Sequence, residues 1–231
     1  MLVWTPDTVR FQRDAAQYGT YHKTLAAHLA AHLPPDPHVC DAGCGLGYLS
    51  RALAPYCKRV TAVDSDALAL DVLREDTPKN VEICEGDIFT LSPAEQYDAM
   101  IFCFFATMDD ALLLAKKHCR GKVIVVKRGW SHHRFSLSQE PLQKYTSEEA
   151  EQYLRTRGIP FLREDLTLDM GQPFRSKADA VRFFEAYGST SVITFSDVEA
   201  RLVKTGDAAF PYYLPQEKPL GIFIFDAKEI P

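Results

Sequence analysis

Three glycines at alternate positions follow a short apolar run with one acidic residue, in the segment Val39-Cys-Asp-Ala-Gly-Cys-Gly-Leu-Gly-Tyr48. Apolar residues at helical spacing begin directly after them, over Tyr48 to Ala54. The order of strand, tight glycine turn and helix is typical of a loop that brings backbone N–H groups close to a ligand. Glycine suits such a turn because a side chain would exclude the ligand. The segment therefore predicts a binding loop.

Three acidic residues stand near the ends of predicted strands: Asp41 on the first, Asp64 on the second and Asp87 just beyond the third. Ligands of doubly wound sheets bind at these carboxyl ends. A carboxylate after the second strand can accept hydrogen bonds from both ribose hydroxyls, which NAD and S-adenosylmethionine share. A dinucleotide loop reads G-x-G-x-x-G, whereas this loop reads D-x-G-x-G-x-G. Asp41 would repel a pyrophosphate, and it suits a ligand that carries a positive amino group.

The dipeptide Asp87-Ile88 adds an acceptor for an adenine amino group beside an apolar residue for the ring. Together with the strand Tyr97-Asp-Ala-Met-Ile-Phe-Cys103, the loop and the acids resemble the class I S-adenosylmethionine-dependent methyltransferases. The resemblance covers residues 39–126 firmly and the chain through its final strand more loosely. It implies S-adenosylmethionine as cofactor and S-adenosylhomocysteine as product. It also implies which residues bind the cofactor: Gly43, Cys44, Gly45 and Gly47 at the methionine, Asp41 at its amino end, Asp64 and Ser65 at the ribose, Asp87 and Ile88 at the adenine, and Cys103 and Phe104 on the far side.

The most basic and aromatic stretch of the chain, Lys127-Arg-Gly-Trp-Ser-His-His-Arg134, follows the fifth predicted strand. Its position after a strand end places it near the donor methyl group. Either His132 or His133 could act as a general base, because imidazole titrates near neutral pH. The predicted substrate contacts are Lys127, Arg128, Trp130 and Arg134 in this stretch, and Tyr212 and Tyr213 as an aromatic wall. The alternative for the basic stretch is a solvated loop, and the alternative for the two tyrosines is packing in the core.

The elements that must position these residues alternate between strands and helices over residues 38–128. Such alternation predicts an α/β protein with a parallel, doubly wound sheet. The resemblance implies a Rossmann-like sheet of seven strands in the order 3-2-1-4-5-7-6, with the last strand antiparallel. Leu220 to Asp226 is a convincing candidate for that strand.

We expect a single methyltransferase domain over residues 1–231, divided into three parts. Residues 1–37 form an N-terminal helical cap, residues 38–128 the cofactor-binding core, and residues 129–231 a substrate-side half. An insertion at about 171–215 in this last part is expected to cover the site. Tyr21 of the cap is predicted to contact a ligand on the glycine loop, with packing of its helix as the alternative.

The formal net charge of −5 leaves no basic field for a phosphate backbone, which disfavours nucleic acid as a partner. Family members that methylate exocyclic base amines carry an Asn/Asp-Pro-Pro-Tyr-like element after the fourth strand. Here that place reads Phe102-Cys-Phe-Phe-Ala-Thr107. We therefore expect a small-molecule acceptor, of anionic character if the basic stretch holds it. An RNA or protein methyltransferase, a non-catalytic S-adenosylmethionine-binding module and an NAD-dependent oxidoreductase stay open as alternatives.

The remaining predictions concern membrane, compartment and metal. The sequence has no apolar run long enough to cross a bilayer, and its six cysteines lack paired spacing, which is typical of reduced thiols in a cytoplasmic protein. His28 and His32 share a helix face, yet the sequence identifies no third ligand beside them. No metal is therefore predicted.

Overall fold

The computed structural model describes residues 4–129, 146–187 and 194–231, which divide into two compact units. The larger unit comprises residues 22–129, 146–166 and 219–231, and the smaller unit comprises residues 4–21, 167–187 and 194–218. The helices and strands, in chain order, are α1 (Pro6–Tyr18), α2 (Tyr21–Ala30), β1 (His38–Ala42), α3 (Tyr48–Leu53), β2 (Arg59–Asp64), α4 (Ala67–Glu75), β3 (Val81–Glu85), β4 (Tyr97–Cys103), α5 (Met108–His118), β5 (Cys119–Arg128), α6 (Ser147–Thr156), β6 (Leu162–Asp169), β7 (Gln172–Phe174), α7 (Lys177–Tyr187), α8 (Phe195–Glu199), β8 (Val203–Lys204), β9 (Tyr212–Leu214) and β10 (Glu217–Asp226).

A seven-stranded sheet in the order β3-β2-β1-β4-β5-β10-β6 organises the larger unit. Strands β1 to β5 pair in parallel, and β10 runs antiparallel to β5, with Ile222 opposite Val126. Because β10 is the seventh strand of this sheet and β6 the sixth, the predicted order and the predicted antiparallel strand are both confirmed.

The central strands β4 and β5 are buried, as a strand covered on both faces requires. Residues 99–102 and 123–126 are apolar and fully shielded from solvent. Side-chain caps begin the helices that follow β2 and β4: Asp66 accepts from the backbone N–H of Ala69 at 3.0 Å, and Thr107 accepts from that of Asp110 at 3.1 Å. These caps fix where the loops at the carboxyl end of the sheet stop.

The smaller unit contains α1, α7, α8 and an antiparallel sheet in the order β7-β9-β8. Its core is aromatic, and the rings of Phe11 and Phe183 meet edge to face with 5.0 Å between their centroids. Two buried carboxylates are paired with guanidinium groups, Arg10 with Asp179 at 2.7 Å and Arg175 with Asp14 at 2.6 Å. The predicted domain boundaries and the predicted cover over the site stay predictions.

None of the helices in the described part of the chain has the length and apolar character that a bilayer crossing requires.

Candidate functional site

The glycine loop between β1 and α3 adopts a backbone that only glycine accepts without strain. Gly43, Gly45 and Gly47 have φ of 69°, 54° and 72°. A Cβ on Gly43 would lie 2.2 Å from the Phe105 ring, and one on Gly47 would lie 2.6 Å from Leu73. The predicted glycine turn is therefore present, and neighbouring side chains pack directly against its backbone.

Asp64 at the end of β2 is oriented by backbone donors from both sides. Its Oδ2 accepts the N–H of Gly45 at 2.8 Å, and its Oδ1 accepts the N–H of Asp66 at 2.9 Å. Each carboxylate oxygen has a further lone pair, so both can still accept a hydroxyl hydrogen. The two backbone hydrogen bonds therefore hold the carboxylate beside the glycine loop. Ser65 next to it is exposed.

Asp41 of β1 is only 2% exposed, and its Oδ2 accepts the hydroxyl of Ser50 at 2.5 Å. Burial raises the pKa of Asp41 to about 6; the Ser50 hydrogen bond opposes this rise and the charge of Asp64 adds to it. A buried carboxylate of this kind is stabilised by a positive group brought close to it. Asp41 thus suits a cationic part of a ligand.

The ends of the third and fourth strands add an acidic and an aromatic side chain to the same edge of the sheet. Asp87 is exposed and its Oδ1 accepts the N–H of Phe89 at 3.0 Å, while Ile88 is buried in the core. Cys103 ends β4, and the ring of Phe104 is 44% exposed. The structure therefore brings the predicted cofactor residues of β1 to β4 to one sheet edge.

The loop after β4 is strained and closely supported. Phe104 and Ala106 have φ of 54° and 61°, a region that costs a residue with a Cβ about 1–2 kcal/mol. The Phe105 ring between them packs against Gly43. The Nζ of Lys127 donates to the carbonyl oxygens of Phe105 at 3.4 Å and Ala106 at 2.7 Å. Strain of this kind is typical of functional loops.

Lys127 itself is 2% exposed, and burial lowers the pKa of its ammonium group to about 8. Through these hydrogen bonds, Lys127 supports the loop after β4. Its contact with a substrate stays a prediction. Arg128 follows at the end of β5 and is half-buried. The other predicted residues of the basic stretch lie outside the described residues: Trp130, His132, His133 and Arg134.

The predicted tyrosines belong to the smaller unit. Tyr21 begins α2, and Tyr212 and Tyr213 lie on β9. The hydroxyl of Tyr213 donates to Asp169 at 2.6 Å, and its ring lies 5.2 Å from that of Tyr18. Their roles at the cofactor and the substrate stay predictions.

Sequence reasoning missed three residues near the glycine loop: Ser50, Phe105 and His22. Ser50 lies in the first turn of α3, so its spacing from the glycines could have indicated it. The His22 ring lies 5.3 Å from that of Tyr48, and burial lowers the pKa of His22 to about 4, which keeps the imidazole neutral at pH 7. The positions of Phe105 and His22 depend on tertiary packing that no local pattern reports.

Comparison with known proteins points to one family. Residues 39–120 match a family model described as "Methyltransferase domain". The cypemycin N-terminal methyltransferase of a Streptomyces species is 38% identical over 78 residues, which are 33% of this chain and 32% of that protein. The ribosomal RNA small subunit methyltransferase A of Prosthecochloris aestuarii is 35% identical over 66 residues, 29% of this chain and 25% of that protein. The chain thus matches about a third or less of the length of these curated relatives.

A solved structure extends the likeness in fold to most of the chain. The N-methyltransferase NodS of Bradyrhizobium japonicum, crystallised with S-adenosylhomocysteine, aligns with a TM-score of 0.52 and 12% identity over 96% of this chain and 98% of its own. The family match, the strand order and the glycine loop agree with one another. Residues 39–120 thus match a methyltransferase domain, and the chain has the Rossmann-like fold, with the strand order, that the resemblance to class I S-adenosylmethionine-dependent methyltransferases implied.

Proposed function

We propose that this protein transfers the methyl group of S-adenosylmethionine to a small-molecule acceptor. The observation that carries the proposal is the set of oriented groups at one sheet edge, namely Asp64, the glycine loop and Asp41. Bound S-adenosylmethionine would supply an already activated methyl group. The chain's own task is then to bind, to orient an acceptor and to exclude water.

The donors and acceptors of this edge fit the cofactor. Asp64 would accept the two ribose hydroxyls, since its oxygens are already held in place by Gly45 and Asp66. Asp41 would balance the amino group of the methionine portion, and the side chain of Asp87 would accept from the adenine amino group. A dedicated general base is needed only where the acceptor is protonated at neutral pH.

Two features support a small acceptor. The net charge of −5 provides no field that would hold a nucleic-acid backbone. Phe104 is exposed and precedes the Phe105 ring that packs against Gly43, on a loop that departs from the Asn/Asp-Pro-Pro-Tyr-like element of base-methylating members. An aromatic face in this place suits a planar or apolar acceptor.

The relatives favour a second candidate, methylation of RNA or of a peptide N-terminus. Three of the matched proteins are described as ribosomal RNA small subunit methyltransferases, one of them as probable, and another acts, by its name, on an N-terminus. These matches cover 20–33% of this chain. They therefore support the presence of a methyltransferase domain more strongly than the identity of the methyl acceptor.

The test has two stages. Calorimetry with S-adenosylhomocysteine should show binding that Asp64→Asn weakens about 10-fold or more, because a charge-assisted contact is lost. Asp71→Asn on the exposed face of α4 removes an equal charge and should leave the affinity unchanged. No binding by the parent protein would overturn the cofactor assignment.

The acceptor is then sought with S-adenosylmethionine labelled in its methyl group. Label transferred to a small-molecule extract supports the proposal. Label in ribosomal RNA or in peptides, with none in the small-molecule fraction, would establish the second candidate instead. Tight S-adenosylhomocysteine binding without transfer to any of the three pools would indicate a non-catalytic binding module.

A further inference from the structure

Two histidines of the N-terminal region converge on one carboxylate in the larger unit. His28 lies in the last turn of α2, His32 lies just beyond its end, and Glu164 lies on the edge strand β6. The Nε2 atoms of the two histidines lie 2.7 Å and 2.9 Å from the same Oε2 of Glu164. None of these residues belongs to the set predicted to bind S-adenosylmethionine.

The spacing of these atoms is close to that of a metal coordination shell. The three ligand atoms all lie within 4.8 Å of one another. A tetrahedral ion with bonds of about 2.0–2.1 Å separates its ligand atoms by about 3.3 Å, so the two Nε2–Oε2 distances need to widen by roughly half an ångström. A rotation of the flexible Glu164 side chain would supply that separation.

The three side chains of the cluster are partly exposed to solvent. The His28, His32 and Glu164 side chains are 31%, 18% and 30% exposed, so a water molecule can reach a fourth position. The flanking Arg163 pairs with Asp165 at 2.9 Å, so its charge is engaged by another carboxylate. The cluster is therefore half-buried and accessible.

We propose that His28, His32 and Glu164 bind one divalent transition-metal ion, with zinc as the occupant that the ligand set fits best. Two imidazoles and one carboxylate suit zinc and its neighbours, whereas magnesium and calcium prefer oxygen ligands throughout. The ion joins the end of α2 to the edge strand of the sheet. It thereby links segments more than 130 residues apart.

Metal binding is measured on the full chain after treatment with a chelator. Titration with zinc chloride in a calorimeter, under reducing conditions, should show one site that His28→Ala/His32→Ala removes or weakens about 100-fold. Glu164→Gln should weaken it as well, and Asp165→Asn, which removes the same charge one residue along the strand, should not. Cobalt(II) in place of zinc should give a visible absorption band that depends on the two histidines.

Thermal unfolding provides a second readout that does not involve the methyltransferase activity. Zinc at a concentration 100-fold above its Kd should raise the Tm of the parent and of Asp165→Asn by about 5–10 °C. The Tm of Glu164→Gln, which keeps a hydrogen-bonding group in place, should rise far less. Equal zinc affinity in the parent and the histidine variant, or no binding by the parent at 1 mM zinc, would overturn the proposal and leave the cluster as a hydrogen-bonded trio.

Discussion

At the scale of single residues, Asp41 connects the chemistry of the site to the stability of the protein. Burial raises its pKa from 3.8 to about 6, so the folded protein favours the protonated carboxyl. The resulting contribution to stability is complete below pH 3.8 and is lost as the pH rises through 6. A cationic ligand beside Asp41 would reverse this preference.

We expect the stability of the ligand-free protein to depend less on pH in Asp41→Asn. The difference in free energy of unfolding between parent and variant should change by about 2–3 kcal/mol between pH 4 and pH 7. The parent should become less stable relative to the variant as the pH rises. Urea unfolding across this range measures the difference. A constant difference would show that Asp41 titrates normally.

The same shift predicts how ligand affinity responds to pH. S-adenosylhomocysteine should bind the parent more weakly as the pH falls through 6, because protonation of Asp41 removes the partner of the amino group. Asp41→Asn should show weaker binding throughout and a flatter profile over the same interval. Superimposable pH profiles for the two proteins would show that Asp41 does not bind the amino group of the ligand.

At the scale of elements, the loops after β1 and β4 support each other. Gly43 accommodates the Phe105 ring, and Lys127 of β5 holds the carbonyl groups of the strained loop. Sequence reasoning located the glycine loop and Asp64 because turn chemistry and strand ends are local signals. It named Phe104 but could not predict the positive φ angles of Phe104 and Ala106, because these angles result from packing and not from residue type.

Substitution of Gly43 tests the contact between these loops. Gly43→Ala should destabilise the protein by about 2–4 kcal/mol, because it adds a clash with Phe105 to the cost of a positive φ. Gly158→Ala is the matched control, since Gly158 has φ of 67° but nothing within 4 Å of an added Cβ. In thermal unfolding, the Tm of Gly158→Ala should be well above that of Gly43→Ala. An equal decrease in Tm for the two variants would mean that the Phe105 ring moves aside.

Replacement of Lys127 tests the support of the loop after β4. Lys127→Met should lower the free energy of unfolding by about 1–3 kcal/mol, because the carbonyl groups of Phe105 and Ala106 lose their donor. Lys122→Met near the other end of β5 removes a half-exposed charge and should cost far less. The rate of methyl transfer should fall in Lys127→Met and stay unchanged in Lys122→Met. An unchanged rate in Lys127→Met would show that methyl transfer does not depend on the support of this loop.

At the scale of the whole molecule, sequence and structure agree on the sheet and differ in long-range detail. The resemblance implied the strand order, and the alternation of strands and helices predicted a parallel sheet. The cluster of His28, His32 and Glu164 shows what sequence alone misses, because its third member lies 132–136 residues along the chain from the other two. Only the completed fold brings them together.

The net charge of the protein predicts that it binds nucleic acid weakly. At 0.15 M salt, anisotropy titrations with single-stranded and duplex RNA should show dissociation constants weaker than about 100 μM, since a net charge of −5 does not attract a phosphate backbone. Affinity in the micromolar range that falls steeply with added salt would instead favour the RNA candidate.

The position of β10 between β5 and β6 has a consequence for synthesis of the chain. Strand β5 and strand β6 both leave the ribosome before β10, and in the finished sheet β10 lies between them. During that interval β5 presents an unpaired edge, which is a template for pairing with another chain. The nascent protein should therefore be most prone to aggregation just before β10 emerges, and a chaperone that shields this edge would raise its yield.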